Sequence, residues 1–154
     1  PLIVVGLRGK VVWLTFWSVT SREGPIVVDR LDQIWRGLEK EGGFASFALV
    51  IDNDEPERVR DLIATRSLRL PAYYASAETC LAYGAAAGDL PLHVVIDDDG
   101  RILAITRGSA LEEIEEMVKA RLRVLHPAGG ALFAAVTSRD GRPGTDVVGG
   151  AMER

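Results

Sequence analysis

The chain has 154 residues, a formal net charge of −4 and a pI near 5.2, and it contains one cysteine. A chain of this length can bury a single core without disulfides or metal, and its acidic balance, without a lysine- or arginine-rich face, argues against nucleic acid as a partner. Two histidines and one cysteine cannot supply a typical zinc site, so we expect no metal and no cofactor.

The first predicted element is a strand that runs directly into a helix start. Residues 11–17 are apolar and β-branched, and the residues that follow are polar. Thr20 and Glu23 have the spacing of a capping box, and Pro25 suits a first helical turn. Such a junction directs free backbone N–H groups and a partial positive charge toward a ligand or reactive side chain. We expect any chemistry to lie here.

A helix and a second strand follow. Apolar residues recur at helical spacing over residues 27–38, and Gly42 with Gly43 supplies a stop. Residues 44–51 are apolar almost throughout, which indicates a central strand covered on both faces. This order predicts a parallel, right-handed βαβ unit.

Acidic residues stand between the second strand and the next predicted helix, residues 57–65. We interpret them as helix caps favoured by the helix dipole, in preference to metal ligands. They are Asp52, Asp54, Glu55 and Glu57. Farther on, the sequence predicts a brief helix capped by Ser76 and a hairpin with its turn at residues 97–100. Ser109 and Glu112 have capping-box spacing before a final helix that reaches residue 125.

The run from Gly9 through Phe16 and Trp17 into this helix start resembles the opening of TlpA-like thioredoxin-fold proteins. In that family a Cys-x-x-Cys pair follows Phe-Trp and opens the first helix; the two cysteine positions fall here on Ser21 and Gly24. Dithiol exchange at this site is therefore excluded by composition, because a serine hydroxyl ionises too weakly and cannot form a disulfide with glycine.

A second segment carries the same resemblance. Tyr83-Gly84, followed by residues 88–97, resembles the family's Tyr-Gly … Val-Pro-Thr-x-x-x-Ile-Asp pattern. The resemblance implies a cis peptide bond between Leu90 and Pro91, facing the redox site. The family's usual threonine is Leu92 here.

The resemblance covers residues 9–125 and implies an α/β, thioredoxin-like fold. It implies a central mixed β-sheet flanked by helices, with an extra segment between the two halves. We assign residues 1–126 to this domain and residues 127–154 to a glycine-rich C-terminal extension. Within the extension, the apolar run at residues 131–136 suggests an added strand, a segment packed across the core, a linker or a partner-binding arm.

The leading functional hypothesis is a redox-inactive thioredoxin-like domain, used for structural support or for protein or peptide recognition through the surface around Pro91. The residues expected at this surface are Trp17, Thr20, Ser21, Arg22, Glu23, Leu90, Pro91 and Leu92. One alternative is a thiol-disulfide oxidoreductase that acts through Cys80. A weaker alternative is anion or small-ligand binding at the Ser21 helix N-terminus. Whether the chain is an enzyme stays open, and the missing Cys-x-x-Cys motif favours the view that it is not.

Other expectations concern single residues and location. His93 is interpreted as a packed or solvated side chain, and Cys80 as a buried, inert thiol. Apolar stretches are broken by charges before the roughly 20 residues that span a bilayer, so membrane attachment is expected only through an anchor outside the given chain. The start at Pro1 is compatible with an upstream signal peptide or anchor. The resemblance alone implies a periplasmic or membrane-anchored location, and the sequence does not specify an oligomeric state.

Overall fold

The computed structural model describes residues 6–52 and 55–127. Within these residues it contains five strands, four α-helices and two short 3₁₀ helices. In chain order they are β1 Val11–Trp17, α1 Gly24–Leu38, the 3₁₀ helix Glu39–Glu41, β2 Phe44–Val50, α2 Pro56–Thr65, β3 Ala72–Tyr74, α3 Ala77–Tyr83, the 3₁₀ helix Ala87–Asp89, β4 Leu92–Ile96, β5 Ile102–Arg107 and α4 Glu112–Leu125.

The strands form one mixed sheet in the order β3-β2-β1-β4-β5. β1 and β3 run parallel to β2, whereas β4 is antiparallel to both β1 and β5. The β1–α1–β2 segment is the predicted βαβ unit, and the five-residue connection between β4 and β5 makes the predicted hairpin. The predicted α/β class and mixed sheet are therefore confirmed.

Helices cover the two faces of the sheet unequally. The larger core cluster lies between one face and helices α1, α2 and α4, with Trp13, Leu31 and Val118 at its centre. The other face carries a smaller cluster around Phe16 and Leu92, and α3 is the only α-helix among the described residues that packs there. None of the helices in the described part of the chain has the length and apolar character needed to cross a bilayer.

The register of β1 against β4 determines which segments meet at the sheet edge. Phe16 lies opposite Leu92 in this antiparallel pair. The turn that follows β1 and the loop that precedes β4 therefore leave the sheet side by side. These are the two segments that carried the sequence resemblance.

The start of α4 differs from the sequence prediction. Its N-cap is Leu111, and no side chain caps it, so Ser109 and Glu112 do not form a capping box. Glu112 is the first helical residue, which is too early in the helix for the N3 role that a capping box needs. The assigned extension, residues 127–154, lies outside the described residues apart from Pro127.

Candidate functional site

The turn between β1 and α1 is held by a carboxylate from the end of β2. Asp52 accepts hydrogen bonds from the Ser18 hydroxyl at 2.8 Å and from the Val19 N–H at 2.6 Å. The Ser18 Oγ also lies 2.8 Å from the Thr20 hydroxyl and accepts from the Thr20 N–H at 3.1 Å. Two adjacent parallel strands are thereby joined at their carboxyl ends.

This network corrects two predictions made from local spacing. The N-cap of α2 is Glu55 and has no side-chain cap, and the Asp52 carboxylate bonds to the neighbouring turn. Glu57 does lie in the first turn of α2, where the helix dipole favours it, and Asp54 lies outside the described residues. The Thr20 hydroxyl bonds to Ser18, and Glu23 makes no side-chain cap, so the predicted capping box is also wrong. Sequence reasoning missed Ser18 and Asp52 as a pair. The available signal was an aspartate at the end of a strand predicted to run parallel to β1.

The two positions that correspond to the family cysteines close this turn. The Ser21 hydroxyl donates to the Ser18 carbonyl at 3.1 Å and accepts from the Gly24 N–H at 2.9 Å. Gly24 is buried, and a Cβ atom added to it would overlap the Ser18 carbonyl oxygen and lie 2.7 Å from Ser21 Oγ. The site lacks sulfur, and its backbone also leaves no space for a side chain at position 24.

The predicted surface residues divide into buried and exposed groups. Trp17 and Leu92 are fully buried in the two core clusters, and Pro91 is buried as well. Their side chains therefore belong to the core that supports the site and do not reach the surface of the protein. The residues that reach solvent around the turn are Thr20, Arg22 and Glu23, with Ser21 and Leu90 half-buried.

The loop before β4 supplies free backbone groups next to this turn. The Leu90–Pro91 peptide bond is cis, and the Pro91 carbonyl accepts from the Gly108 N–H at 3.0 Å. Among the described residues, no hydrogen bond uses the N–H or the C=O of Leu90. One donor and one acceptor of extended backbone are therefore available at this edge.

His93 lies on β4, two residues after Pro91, and is 1% exposed. Its Nδ1 accepts from Trp13 Nε1–H at 3.3 Å and lies 2.9 Å from the Thr15 hydroxyl, while its Nε2 lies 2.9 Å from the Gly108 carbonyl. A carbonyl can only accept and an indole N–H can only donate, so the ring is neutral with its hydrogen on Nε2. His93 is thus a packed structural residue that links β1, β4 and the segment after β5.

Cys80 lies on α3 and packs against the smaller core cluster. Its thiol is partly buried, and this burial raises the pKa of Cys80 above the ordinary value. A raised pKa lowers the fraction of thiolate, which is the reactive form. The environment of Cys80 therefore disfavours the thiolate, and the thiol is half-buried where the sequence predicted a buried one.

One acidic cluster occurs in the described part of the chain, at the opposite end of β4. The carboxylates of Asp97, Asp98 and Asp99 come within 4.8 Å of one another. Arg121 on α4 donates to Asp97 at 2.7 Å and to Asp98 at 3.0 Å. The cluster therefore already has a cationic partner, and it joins α4 to the hairpin turn.

Comparison with known proteins bears on the fold. No protein-family model matches the chain, and no curated protein matches it. A thiol:disulfide interchange protein of the thioredoxin family from Chlorobium tepidum matches with a TM-score of 0.66 and 20% identity, over 76% of this chain and 83% of that chain. The thioredoxin domain of a thiol-disulfide oxidoreductase from Bacteroides vulgatus matches with a TM-score of 0.61 and 18% identity, over 73% and 82%. The chain has a thioredoxin-like fold.

The thioredoxin-like fold agrees with the fold that the sequence resemblance implied. StoA from Bacillus subtilis has it too, with a TM-score of 0.60 and 16% identity over 71% of this chain and 82% of that chain. At these identities the likeness concerns the fold, and chemistry has to be argued from the site itself.

We expect that Gly24→Ala destabilises this thioredoxin-like domain by about 1–3 kcal/mol, because the new methyl group displaces the Ser18 carbonyl or the helix start. Gly37→Ala is the matched control in the same helix, since no atom lies within 4 Å of its added Cβ. That control should leave the free energy of unfolding unchanged or raise it by up to about 1 kcal/mol. Urea unfolding of both variants measures the difference, and equal stabilities would contradict the described packing.

We expect the thioredoxin-like domain to lose stability in mild acid through His93. Burial lowers the pKa of His93 below its ordinary value, although the hydrogen bond to the Gly108 carbonyl opposes this. As the pH falls through about 6.5, the unfolded chain protonates His93 and the folded protein does not. The free energy of unfolding therefore falls from about pH 6.5 down to the folded pKa, by at most about 1.4 kcal/mol per pH unit.

Urea unfolding between about pH 7.5 and pH 5 measures this slope. His93→Gln should remove it, whatever its effect on stability, whereas His126→Gln should retain it because His126 is exposed. An unchanged slope in His93→Gln would show that another group titrates in this range.

Proposed function

We propose that this chain is a redox-inactive thioredoxin-like domain that recognises an extended polypeptide segment at the edge formed by the Leu90–Pro91 loop and the β1–α1 turn. The observation that carries the proposal is that the backbone N–H and C=O of Leu90 make no hydrogen bond among the described residues, beside a turn that has Ser21 and Gly24 in place of cysteines.

The absence of thiol chemistry is supported by composition and by packing. Disulfide exchange needs a thiolate that attacks and a second thiol that resolves the mixed disulfide. Ser21 and Gly24 provide neither, and the Ser21 hydroxyl is already engaged by Ser18 and by the Gly24 N–H. A strong base next to Ser21 would be needed to make it a nucleophile, and no histidine or carboxylate is hydrogen-bonded to its hydroxyl among the described residues.

Recognition of an extended segment is supported by the unused backbone groups of Leu90. An extended peptide that adds to a sheet edge is bound through main-chain hydrogen bonds, which are independent of cysteine. The exposed side chains of Thr20, Arg22 and Glu23 lie on the neighbouring β1–α1 turn, where they would select the partner's side chains. Their charges include one cation and one anion, so we expect selection by side-chain pattern more than by net charge.

The two alternative functions are less well supported. Cys80 has a raised pKa and lies on α3, against the opposite face of the sheet from α1. At the start of α1, the Gly24 N–H is bound to Ser21, Pro25 has no N–H, and the Val27 N–H donates to the Glu23 carbonyl. At most the Ile26 N–H remains for an anion, and one donor makes a weak site.

The proposal is tested by an insulin-reduction assay together with peptide selection. We expect no insulin reduction above background, and the same result for Cys80→Ser. Cysteine-free random peptides displayed on phage are then selected on the full chain, and the tightest peptide is measured by calorimetry. Leu90→Pro removes the backbone donor and should weaken binding about tenfold, whereas Leu90→Ala keeps it and should bind like the parent.

Melting curves of both Leu90 variants show whether each is folded. Catalytic insulin reduction by the parent chain would refute the redox-inactive assignment. If Cys80→Ser then lost that activity, Cys80 would be the residue responsible for it. Failure to select any peptide, or equal affinity of Leu90→Pro and Leu90→Ala, would refute recognition at this edge.

A further inference from the structure

The face of the sheet that carries α3 contains a groove that no described element fills. The groove has a volume of about 550 Å³ and lies between α3, β1, β4 and the β4–β5 turn. Its apolar lining includes Leu7, Val12, Leu14, Leu49, Ile96 and Ile102. Three helices cover the opposite face, whereas this one has the seven-residue α3 alone among the described α-helices. A sheet face of this kind is normally covered by a packed layer.

The groove continues onto the edge strand β5. Three apolar residues of β5 are about half exposed: Ile102 (51%), Leu103 (42%) and Ile105 (45%). The pairing with β4 is irregular at Leu103, because Ile96 lies opposite Ile102 and Val95 lies opposite Ala104. Among the described strands, β5 pairs with β4 alone and stands at the edge of the sheet. An edge strand of apolar residues with unpaired backbone groups is a surface that an extended segment can cover. An occupant of the groove would thus also shield Ile102.

The end of the described chain and one wall of this groove lie at the same end of the sheet, although α4 itself packs against the opposite face. Asp97 and Asp98 belong to the turn that forms the wall, and Arg121 of α4 donates to both of them. α4 ends four residues later, at Leu125, and the described residues end at Pro127. The C-terminus of α4 also lies at this end of the sheet, since the His126 ring fills the space beside Gly43, whose carbonyl accepts from the Val11 N–H.

The sequence beyond this point contains a suitable occupant. Residues 128–130 are Ala-Gly-Gly, and residues 131–136 are Ala-Leu-Phe-Ala-Ala-Val, without a charged side chain. An extended chain advances about 3.3–3.6 Å per residue, so the three linking residues provide about 10 Å of reach. Charged residues resume at Arg139 and Asp140. The apolar run therefore follows the end of α4 closely in sequence and matches the lining of the groove in apolar character.

We propose that residues 131–136 bind in the groove of the same chain, against Ile102, and form the missing cover of this face of the sheet. The run supplies two large apolar side chains, Leu132 and Phe133, to an apolar lining. An occupant tethered to the end of α4 binds at high effective concentration and needs no partner protein. This inference does not depend on the proposed recognition site, which lies at the other end of β4.

The test is disulfide trapping in the full chain with Cys80→Ser as background, so that the introduced thiols are the only ones. One variant combines Ile102→Cys with Phe133→Cys, and its matched control combines Ile102→Cys with Val147→Cys. Both tail positions are tethered and apolar in sequence, but only the first belongs to the proposed occupant. We expect the intramolecular disulfide with position 133 to form at least tenfold faster than that with position 147.

Equal rates of intramolecular disulfide formation in the two variants would overturn the proposal, because a tail that does not bind in the groove would give this result. Disulfide-linked dimers whose share rises with protein concentration would also overturn it, since the occupant is then a second copy. As a second readout, Phe133→Asp should increase the rate at which Ellman's reagent labels Ile102→Cys by at least tenfold, whereas Val147→Asp should leave that rate unchanged. No change with either variant would likewise contradict the proposal.

Discussion

The structure of the site depends on the bonds from the Asp52 carboxylate to the Ser18 hydroxyl and the Val19 N–H. They connect the end of β2 to the turn that leaves β1, and so determine where the Ser18 carbonyl points. That carbonyl accepts from Ser21 and lies against Gly24. Residues 18–21 therefore form a polar turn before α1. The hydroxyl groups of Ser18, Thr20 and Ser21 all make hydrogen bonds within this turn, to Asp52 or to the first residue of α1.

This arrangement separates the fold from the activity of its structural neighbours. The sheet order, the cis Leu90–Pro91 bond and the helix after β1 are all present. The thiols are absent, and the space that a side chain at position 24 would need is filled by backbone. The recognition that we propose at the edge beside the turn needs neither thiols nor that space, because it relies on the backbone N–H and C=O of Leu90. Recognition without disulfide exchange is therefore the function that we propose for this site.

Most of the fold could be predicted from the sequence, because its signals are local. Apolar periodicity located β1, β2, β4, β5 and the α-helices to within a few residues, and turn residues located the hairpin. The three-residue strand β3 was not predicted, because so short a segment carries little periodicity. Within the site, the positions of Ser21 and Gly24 at the helix start also followed from the sequence. The role of Asp52 did not, because its partners are 33 and 34 residues away and lie on another strand. The crowding at Gly24 likewise could not be predicted, because it arises from backbone atoms of Ser18, and every residue type has the same backbone atoms.

The most direct test of this account is amide hydrogen exchange at Val19, measured by NMR in the parent chain and in Asp52→Ala. If the carboxylate holds the turn, the Val19 amide is protected in the parent and exchanges at least tenfold faster in Asp52→Ala, which corresponds to about 1.4 kcal/mol. Glu57→Ala, a nearby exposed carboxylate on α2, should leave the rate unchanged. The same Val19 rate in Asp52→Ala as in the parent would contradict the account.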